Sequence, residues 1–162
     1  MSENARACSS FKVQASEPVR MCLGGAGGTG KSRVIAALND YFAQRGESRR
    51  LRLTSFTGIA AKNINGTTLH ATLALNLSQR NGKRGNGKTK ADLIAMWIGV
   101  DYLFVDEVSM TGCALLLQIH EVLVDAKGCT EPFGGVSVIF VGDFVQLPPV
   151  NQTKLFSRAE SG

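Results

Sequence analysis

The stretch GGAGGTGKS at residues 24–32 places five glycines just before a lysine and a serine. Because glycine is costly to order in a fold, such a run needs a reason other than stability. Its spacing fits G-x-x-x-x-G-K-[ST], a pattern in which bare backbone N–H groups converge on phosphate oxygens. In that arrangement Lys31 would reach the terminal phosphates of a nucleotide, and the Ser32 hydroxyl would bind Mg²⁺. The residues also fit a plain glycine-rich turn with an incidental lysine.

The neighbours of this stretch favour the phosphate interpretation. The short apolar run VRMCL (19–23) precedes it, and KSRVIAALNDYFAQRG (31–46) follows it with apolar residues at helical spacing. A strand before and a helix after are the context that the pattern needs, and the helix adds its positive N-terminal end. The residues predicted to bind the nucleotide are Gly25, Ala26, Gly27, Gly28, Thr29, Gly30, Lys31 and Ser32.

Two adjacent carboxylates form the second half of the predicted site. In LFVDEVSM (103–110), Asp106 and Glu107 follow an apolar run that reads as a buried strand. Asp106 at a strand end can hold Mg²⁺, and Glu107 beside it can orient and deprotonate an attacking water. Adjacent acids raise each other's proton affinity unless a cation offsets them, and Mg²⁺ is that cation. Taken alone, such a pair is usually part of a solvated loop.

A third polar group follows another apolar run. In VGDFVQLPPV (141–150), Asp143 and Gln146 come after the strand candidate, and two prolines stiffen the end of the segment. A glutamine near a terminal phosphate can distinguish a triphosphate from a diphosphate. From the chemistry alone, a plain β-turn loop is the better interpretation.

The rest of the chain alternates strand and helix candidates. The further strand candidates are LRLTSF (51–56), YLFVDE (102–107) and VSVIFVGD (136–143), and the further helix candidates are TGIAAKNI (57–64), ADLIAMWIG (91–99) and ALLLQIHEVLVDAK (114–127). TTLHATLALNL (67–77) is ambiguous between a loop and a short helix. Apolar strands alternating with helices predict an α/β fold with a parallel central sheet covered on both faces. Ligands of such sheets bind beyond the carboxyl ends of the strands, where these motifs fall.

Composition narrows the class of protein. The 162 residues carry a net charge of +5, which suits a nucleic-acid partner without showing one. Residues 78–90 hold five basic residues and no acid, and read either as a mobile loop or as an arm that touches phosphates. The longest apolar run, VSVIFV (136–141), is far short of the roughly 18 residues that span a bilayer, so no membrane partner is predicted.

The four cysteines form no C-x-x-C pair, and the N-terminus has no apolar segment typical of a signal peptide. We therefore expect an intracellular protein with reduced, mostly buried thiols and no zinc site.

Five strings occur in a characteristic order: GGAGGTGKS, TSFTGIAAKNINGTTLH, LFVDEVSM, PFGG and VGDFVQLPPV. Together they resemble the Pif family of superfamily-1 DNA helicases, and especially the Pif-like helicases associated with Helitron transposons. The resemblance runs from about residue 19 to residue 150. It implies a RecA-like P-loop NTPase three-layer fold, ATP and Mg²⁺ as cofactors, single-stranded DNA as partner and 5′→3′ unwinding driven by ATP hydrolysis.

The resemblance also implies roles for individual residues. Lys31 binds ATP, Ser32 and Asp106 hold the metal, Glu107 activates water, and Gln146 contacts the γ-phosphate and couples it to DNA. The candidates for contact with the DNA strand are Phe56, Thr57, Gly58, Lys62, Asn63, Thr68 and His70. Phe56 can stack on a base, but it fits a core position equally well, and His70 fits a buried, hydrogen-bonded histidine.

The chain departs from the family pattern in what surrounds these motifs. The family continues into a second RecA-like domain whose arginines complete the ATP site, and a glutamine that reads the base normally precedes the glycine-rich stretch. We expect residues 1–18 to be a frayed or truncated segment, 19–150 to be the first motor domain and 151–162 to be a tail. A truncated non-catalytic nucleotide- or DNA-binding fragment, or a P-loop ATPase of another class, are the alternatives. The family implies a nuclear or mitochondrial location and roles in DNA repair, recombination and telomere maintenance.

Overall fold

The computed structural model describes residues 17–73 and 90–143. The strands are β1 (Arg20–Gly24), β2 (Leu51–Ser55), β3 (Thr67–Thr68), β4 (Tyr102–Asp106) and β5 (Ser137–Gly142). The helices are α1 (Lys31–Gln44), α2 (Gly58–Asn63), α3 (Leu69–Leu73), α4 (Lys90–Trp97) and α5 (Cys113–Lys127). Single 3₁₀ turns cover Ser48–Arg50, Val108–Met110 and Pro132–Gly135.

The five strands form one sheet in the order β1-β5-β4-β2-β3, and every pair is parallel. In central strand β4, Leu103, Phe104 and Val105 are all fully buried. A strand that is covered on both faces has no polar side to present, which is why its sequence is a continuous apolar run. The prediction of a parallel sheet covered on both faces is confirmed.

Two apolar cores lie on opposite faces of the sheet. On one face, α3, α4 and α5 pack against Leu103 and Val105, with Trp97 and Ile119 fully buried between them. On the other face, α1 packs against Phe104 through Ile35 and other apolar residues. Alternate side chains of one strand therefore enter different cores, as the pleat of a strand requires.

The strand register brings the polar strand ends together. Asp106, the last residue of β4, lies beside Ser55 of β2, and Ser55 lies beside Thr68 of β3. On the other side of β4, Gly142 of β5 lies beside Gly24 of β1, where the glycine-rich stretch begins. The glycine-rich stretch and the carboxyl ends of β2, β4 and β5 thus meet at one edge of the sheet, as the sequence predicted.

The ambiguous stretch after residue 66 has two parts within the described residues. Thr67 and Thr68 pair with β2 as a short strand, and Leu69–Leu73 forms a helix whose Leu69 and Leu73 are buried in the core.

The expectation about the cysteines was wrong in two respects. Cys22 and Cys113 are reduced thiols but exposed, because Cys22 lies on strand β1 at the edge of the sheet and Cys113 is the first residue of α5. Cys129 is buried but disulfide-bonded, and spacing along the chain does not reveal which thiols meet in space. Among the helices of the described segments, none has the length and apolar character needed to cross a membrane.

Candidate nucleotide and DNA site

The glycine-rich loop connects β1 to α1 at the carboxyl edge of the sheet. The Gly25 N–H donates a hydrogen bond of 3.2 Å to the Gly142 carbonyl, which ties the start of the loop to the end of β5. Gly28 and Gly30 have φ angles of 80° and 88°, a backbone conformation that side chains rarely adopt. Because Gly30 occupies the N-cap position, α1 begins without a side-chain cap. Its first N–H groups, with the positive end of the helix dipole, are therefore available to an anion.

The Lys31 ammonium lies within this loop. It donates hydrogen bonds to the Gly25 carbonyl and, at 2.7 Å, to the Ala26 carbonyl. Thr29 donates its hydroxyl to the same Ala26 carbonyl at 2.8 Å. The loop thus wraps around a positive charge at the beginning of a helix. Ser32 follows on the first turn of α1, where it is exposed.

Asp106 provides a half-buried carboxylate near this positive charge. Burial raises the pKa of Asp106 above its ordinary value, and the neighbouring Glu107 carboxylate raises it further. A hydrogen bond from the Glu107 backbone and the charge of Lys31 both act in the opposite direction. Lys31 at the beginning of α1 and Asp106 at the end of β4 are therefore close enough to interact electrostatically. Burial is thus the main reason why the charged form of Asp106 is disfavoured, and the adjacent carboxylate of Glu107 adds to it.

The residues fit the Mg²⁺ of a bound nucleotide. Mg²⁺ needs only one or two protein carboxylates when phosphate oxygens and water complete its shell. Asp106 is a carboxylate that burial disfavours in its charged form, so a cation would relieve that penalty. Ser32 follows Lys31 directly and can add a hydroxyl.

Glu107 has an unusual backbone for a residue with a side chain. Its φ of 59° and ψ of 41° lie in the left-handed region, which costs free energy and persists only where the surroundings impose it. Here the surroundings are the end of β4 on one side and the 3₁₀ turn with buried Val108 on the other. Its carboxylate accepts a hydrogen bond of 3.0 Å from the Thr57 hydroxyl. Such strain is typical of functional residues.

The candidates for DNA contact follow the end of β2 and continue through α2 and β3 to α3. Thr57 is the N-cap of α2, where its hydroxyl accepts a hydrogen bond from the Ala60 N–H. Gly58, Lys62 and Asn63 are exposed on α2 itself. Thr57 is thus the member of this set that also touches the predicted catalytic carboxylate.

Phe56 and His70 contact each other. Their ring centroids are 5.5 Å apart and the planes meet at 81°, an edge-to-face arrangement. Both are half-buried, and Phe56 packs partly against the core, whereas their contact with DNA stays a prediction. Thr68 is also half-buried, and its hydroxyl accepts a hydrogen bond from the Ala71 N–H at 3.3 Å.

Sequence reasoning did not single out Ser55. This residue is fully buried between Asp106 and Thr68, and within residues 17–73 and 90–143 its hydroxyl has no hydrogen-bond partner. A buried hydroxyl without a partner costs free energy and calls for an explanation. Its position after buried Leu53 and Thr54 resembled plain core, so the sequence carried no signal for it.

Some predicted features lie outside the described residues. These are Gln146 with the two prolines of its segment, most of the basic stretch 78–90, most of the N-terminal segment 1–18, and the tail 151–162.

Comparisons with known proteins identify the family of this chain. The family model described as PIF1-like helicase matches residues 4–160. The ATP-dependent DNA helicase RRM3 of Saccharomyces cerevisiae is 31% identical over 128 residues, covering 78% of this chain and 18% of its own length. The ATP-dependent DNA helicase PIF1 of Emericella nidulans is 36% identical over 132 residues, covering 78% of this chain and 17% of its own length.

Two solved structures of a Pif1 helicase from Bacteroides have similar folds. One, bound to single-stranded DNA, has a TM-score of 0.65 at 29% identity and covers 84% of this chain and 31% of that chain. The other, in complex with ADP-AlF3 and single-stranded DNA, has a TM-score of 0.66 at 29% identity and covers 86% of this chain and 32% of that chain. This chain therefore spans less than a fifth of these two curated relatives and about a third of the solved chains. The sequence belongs to the PIF1-like helicase family, and its parallel α/β sheet is the RecA-like fold of that family.

Proposed function

We propose that residues 19–150 form the first motor domain of an ATP-dependent DNA helicase, which binds Mg·ATP at the glycine-rich loop and single-stranded DNA along residues 56–70. The observation that carries the nucleotide site is the electrostatic interaction of Lys31, at the beginning of α1, with the half-buried Asp106 of β4. An ammonium inside a glycine-rich loop and a carboxylate on a nearby strand form the charge pattern that a metal-bound polyphosphate needs.

Each residue of the site has a distinct task in this proposal. The loop amides and Lys31 hold the phosphates, Ser32 and Asp106 hold the metal, and Glu107 orients and deprotonates the attacking water. Bound Mg²⁺ neutralises phosphate charge. Gln146 remains our prediction for the residue that senses the γ-phosphate.

Support for DNA binding comes from the chain and from its relatives. Small polar groups and exposed Lys62 follow the strand ends, and such groups suit phosphate contacts. The Bacteroides Pif1 structures described above are complexes with single-stranded DNA, which supports the same ligand here.

Unwinding belongs to a longer protein in this proposal. Motion along DNA needs a second RecA-like domain that closes on ATP, and the arginine it contributes is typically worth about 10³–10⁵ in rate. We therefore expect residues 1–162 to bind nucleotide, to turn it over more slowly than about 1 s⁻¹, and to separate no strands. The whole protein would act inside the cell, in the nucleus or mitochondrion, in DNA repair, recombination or telomere maintenance. The similarity to Helitron-associated members stays a prediction.

A calorimetric titration of the 162-residue chain with ADP and Mg²⁺ tests the nucleotide site. Lys31→Met should abolish binding, since the loop loses its only side-chain cation. Arg45→Met is the matched control, because Arg45 is exposed beyond the far end of α1, about 21 Å along the helix. Equal binding by both variants, or by the wild type with and without Mg²⁺, would contradict the proposal.

A salt titration of oligo-dT binding tests the DNA site. Three to five phosphate contacts predict a slope of log affinity against log salt of about −2 to −3.5, at roughly −0.7 per contact. A flat response would mean that the basic residues do not bind the DNA backbone.

A further inference from the structure

The Thr57 hydroxyl is a physical link between the two halves of the proposed site. It donates to the Glu107 carboxylate at 3.0 Å and accepts from the Ala60 N–H at 3.3 Å. Fifty positions separate Thr57 and Glu107 in the chain, but both follow the ends of neighbouring strands, β2 and β4. The contact is thus a consequence of the sheet register, and it joins the DNA-contact segment to the carboxylate assigned to water activation.

A threonine hydroxyl has only one proton to donate. In this structure that proton is directed at Glu107, while a lone pair serves the backbone of α2. The cap contact leaves the donor free to change its acceptor without disturbing the helix. A DNA phosphate at Thr57 and the carboxylate of Glu107 therefore compete for the same proton.

We infer that Thr57 is a positioning residue that exchanges the Glu107 carboxylate for a DNA phosphate, so that DNA binding frees Glu107. The inference rests on the proposed function, because it assumes that Thr57 meets DNA. Without DNA, the hydrogen bond holds the carboxylate of Glu107 toward β2 and restrains its motion. With DNA, the carboxylate is released to orient water. The exchange gives the ATP site a direct means of responding to DNA.

A double-mutant cycle on DNA affinity tests the exchange without requiring hydrolysis. Binding of fluorescent oligo-dT to the nucleotide-free 162-residue chain is measured for the wild type, Glu107→Ala, Thr57→Val and the double variant. If DNA must displace Glu107 from Thr57, removing the carboxylate should tighten DNA binding by about twofold to tenfold, the range for one hydrogen bond. A substitution at the ATP site would then strengthen binding at the DNA site.

Removing any negative charge also favours DNA binding, so a charge control is needed. Glu121→Ala provides it, since Glu121 is exposed on α5 and lies outside the site. The inference predicts that, in the wild-type background, Glu107→Ala tightens oligo-dT binding more than Glu121→Ala does. It also predicts that the excess disappears with Thr57→Val and persists with Thr57→Ser, which keeps the hydroxyl and the cap.

The outcomes distinguish a failure of the exchange from a failure of the proposed DNA binding. An equal effect of Glu107→Ala and Glu121→Ala, or an excess that survives Thr57→Val, overturns the exchange while leaving DNA binding intact. A wild-type chain that binds no oligo-dT overturns the proposed DNA site and the exchange together. The comparison of Glu107→Ala with Glu121→Ala needs no substitution at Thr57. An equal effect of these two variants on DNA binding would therefore overturn the exchange even if Thr57→Val unfolds the chain.

Discussion

The left-handed backbone of Glu107 gives a test that separates the effect of its backbone conformation on stability from the effect of its carboxylate. With φ at 59°, this position suits glycine better than any residue with a Cβ. We compare Glu107→Ala with Glu107→Gly, because both lose the carboxylate and its hydrogen bond from Thr57. The difference in free energy of unfolding between the two variants then reports the backbone alone.

The magnitude follows from two opposing contributions. The left-handed conformation costs alanine about 1–2 kcal/mol, whereas the greater freedom of glycine in the unfolded chain costs it about 0.5–1 kcal/mol. The glycine variant should therefore be more stable than the alanine variant by about 0.5–1 kcal/mol. For a domain of this size, that is a difference of about 1–4 °C in Tm.

Urea unfolding followed by circular dichroism measures the difference in free energy of unfolding. Ala37→Gly is the control for the usual preference of a helix for alanine over glycine. Ala37 is exposed within α1, so glycine there should destabilise the chain by about 0.5–1 kcal/mol. The sign of the glycine effect should thus invert between positions 37 and 107. An alanine variant at position 107 as stable as the glycine variant, or more stable, would refute the argument from backbone strain.

Three further substitutions have outcomes that the structure determines. Burial raises the pKa of Asp106 in the folded chain above its ordinary value of 3.8. The folded chain therefore loses stability as the pH rises from 3.8 through the raised pKa, because the buried carboxyl group must then ionise. Asp106→Asn should raise the free energy of unfolding of the nucleotide-free chain at neutral pH, and urea titrations should show this gain shrinking toward pH 4. It should also weaken Mg²⁺-dependent ADP binding. A gain in stability that does not depend on pH would contradict this. Ser55→Ala should leave unfolding stability unchanged or raise it, since the hydroxyl has no partner in the described segments. Thr54→Val is its matched control and should cost about 1 kcal/mol, because that hydroxyl donates to a β4 carbonyl at 2.7 Å; equal losses for both would refute the distinction. Lys127→Met should cost about 1–2 kcal/mol in the same assay, because its ammonium donates to the carbonyls of Trp97, at the end of α4, and of Val100 beyond it. In contrast, Lys90→Met at an exposed position should cost little.

The fold was predictable because its signals are local. Continuous apolar runs such as 102–105 identify buried strands, and the glycine-rich loop lies between one strand and the helix that begins at Lys31. Since parallel strands end at a common edge, the meeting of Lys31 and Asp106 followed from topology.

The contacts that bear on regulation were not predictable in the same way. The bond between Thr57 and Glu107 depends on strand order and register, which neither residue reveals in its own surroundings. Ser55 resembled core because burial and lack of a partner are properties of the packed structure. The disulfide of Cys129 likewise depends on proximity in space.

The central claim is that the glycine-rich loop and Asp106 hold one metal-bound nucleotide. Paramagnetic broadening by Mn²⁺ and ADP, measured on the backbone amide resonances of the 162-residue chain, tests it directly. We predict that the amides of Lys31, Ser32 and Asp106 broaden together at one equivalent of Mn·ADP, while that of Arg45 beyond the far end of α1 stays sharp. Broadening of the loop without Asp106, or of neither, would contradict the account.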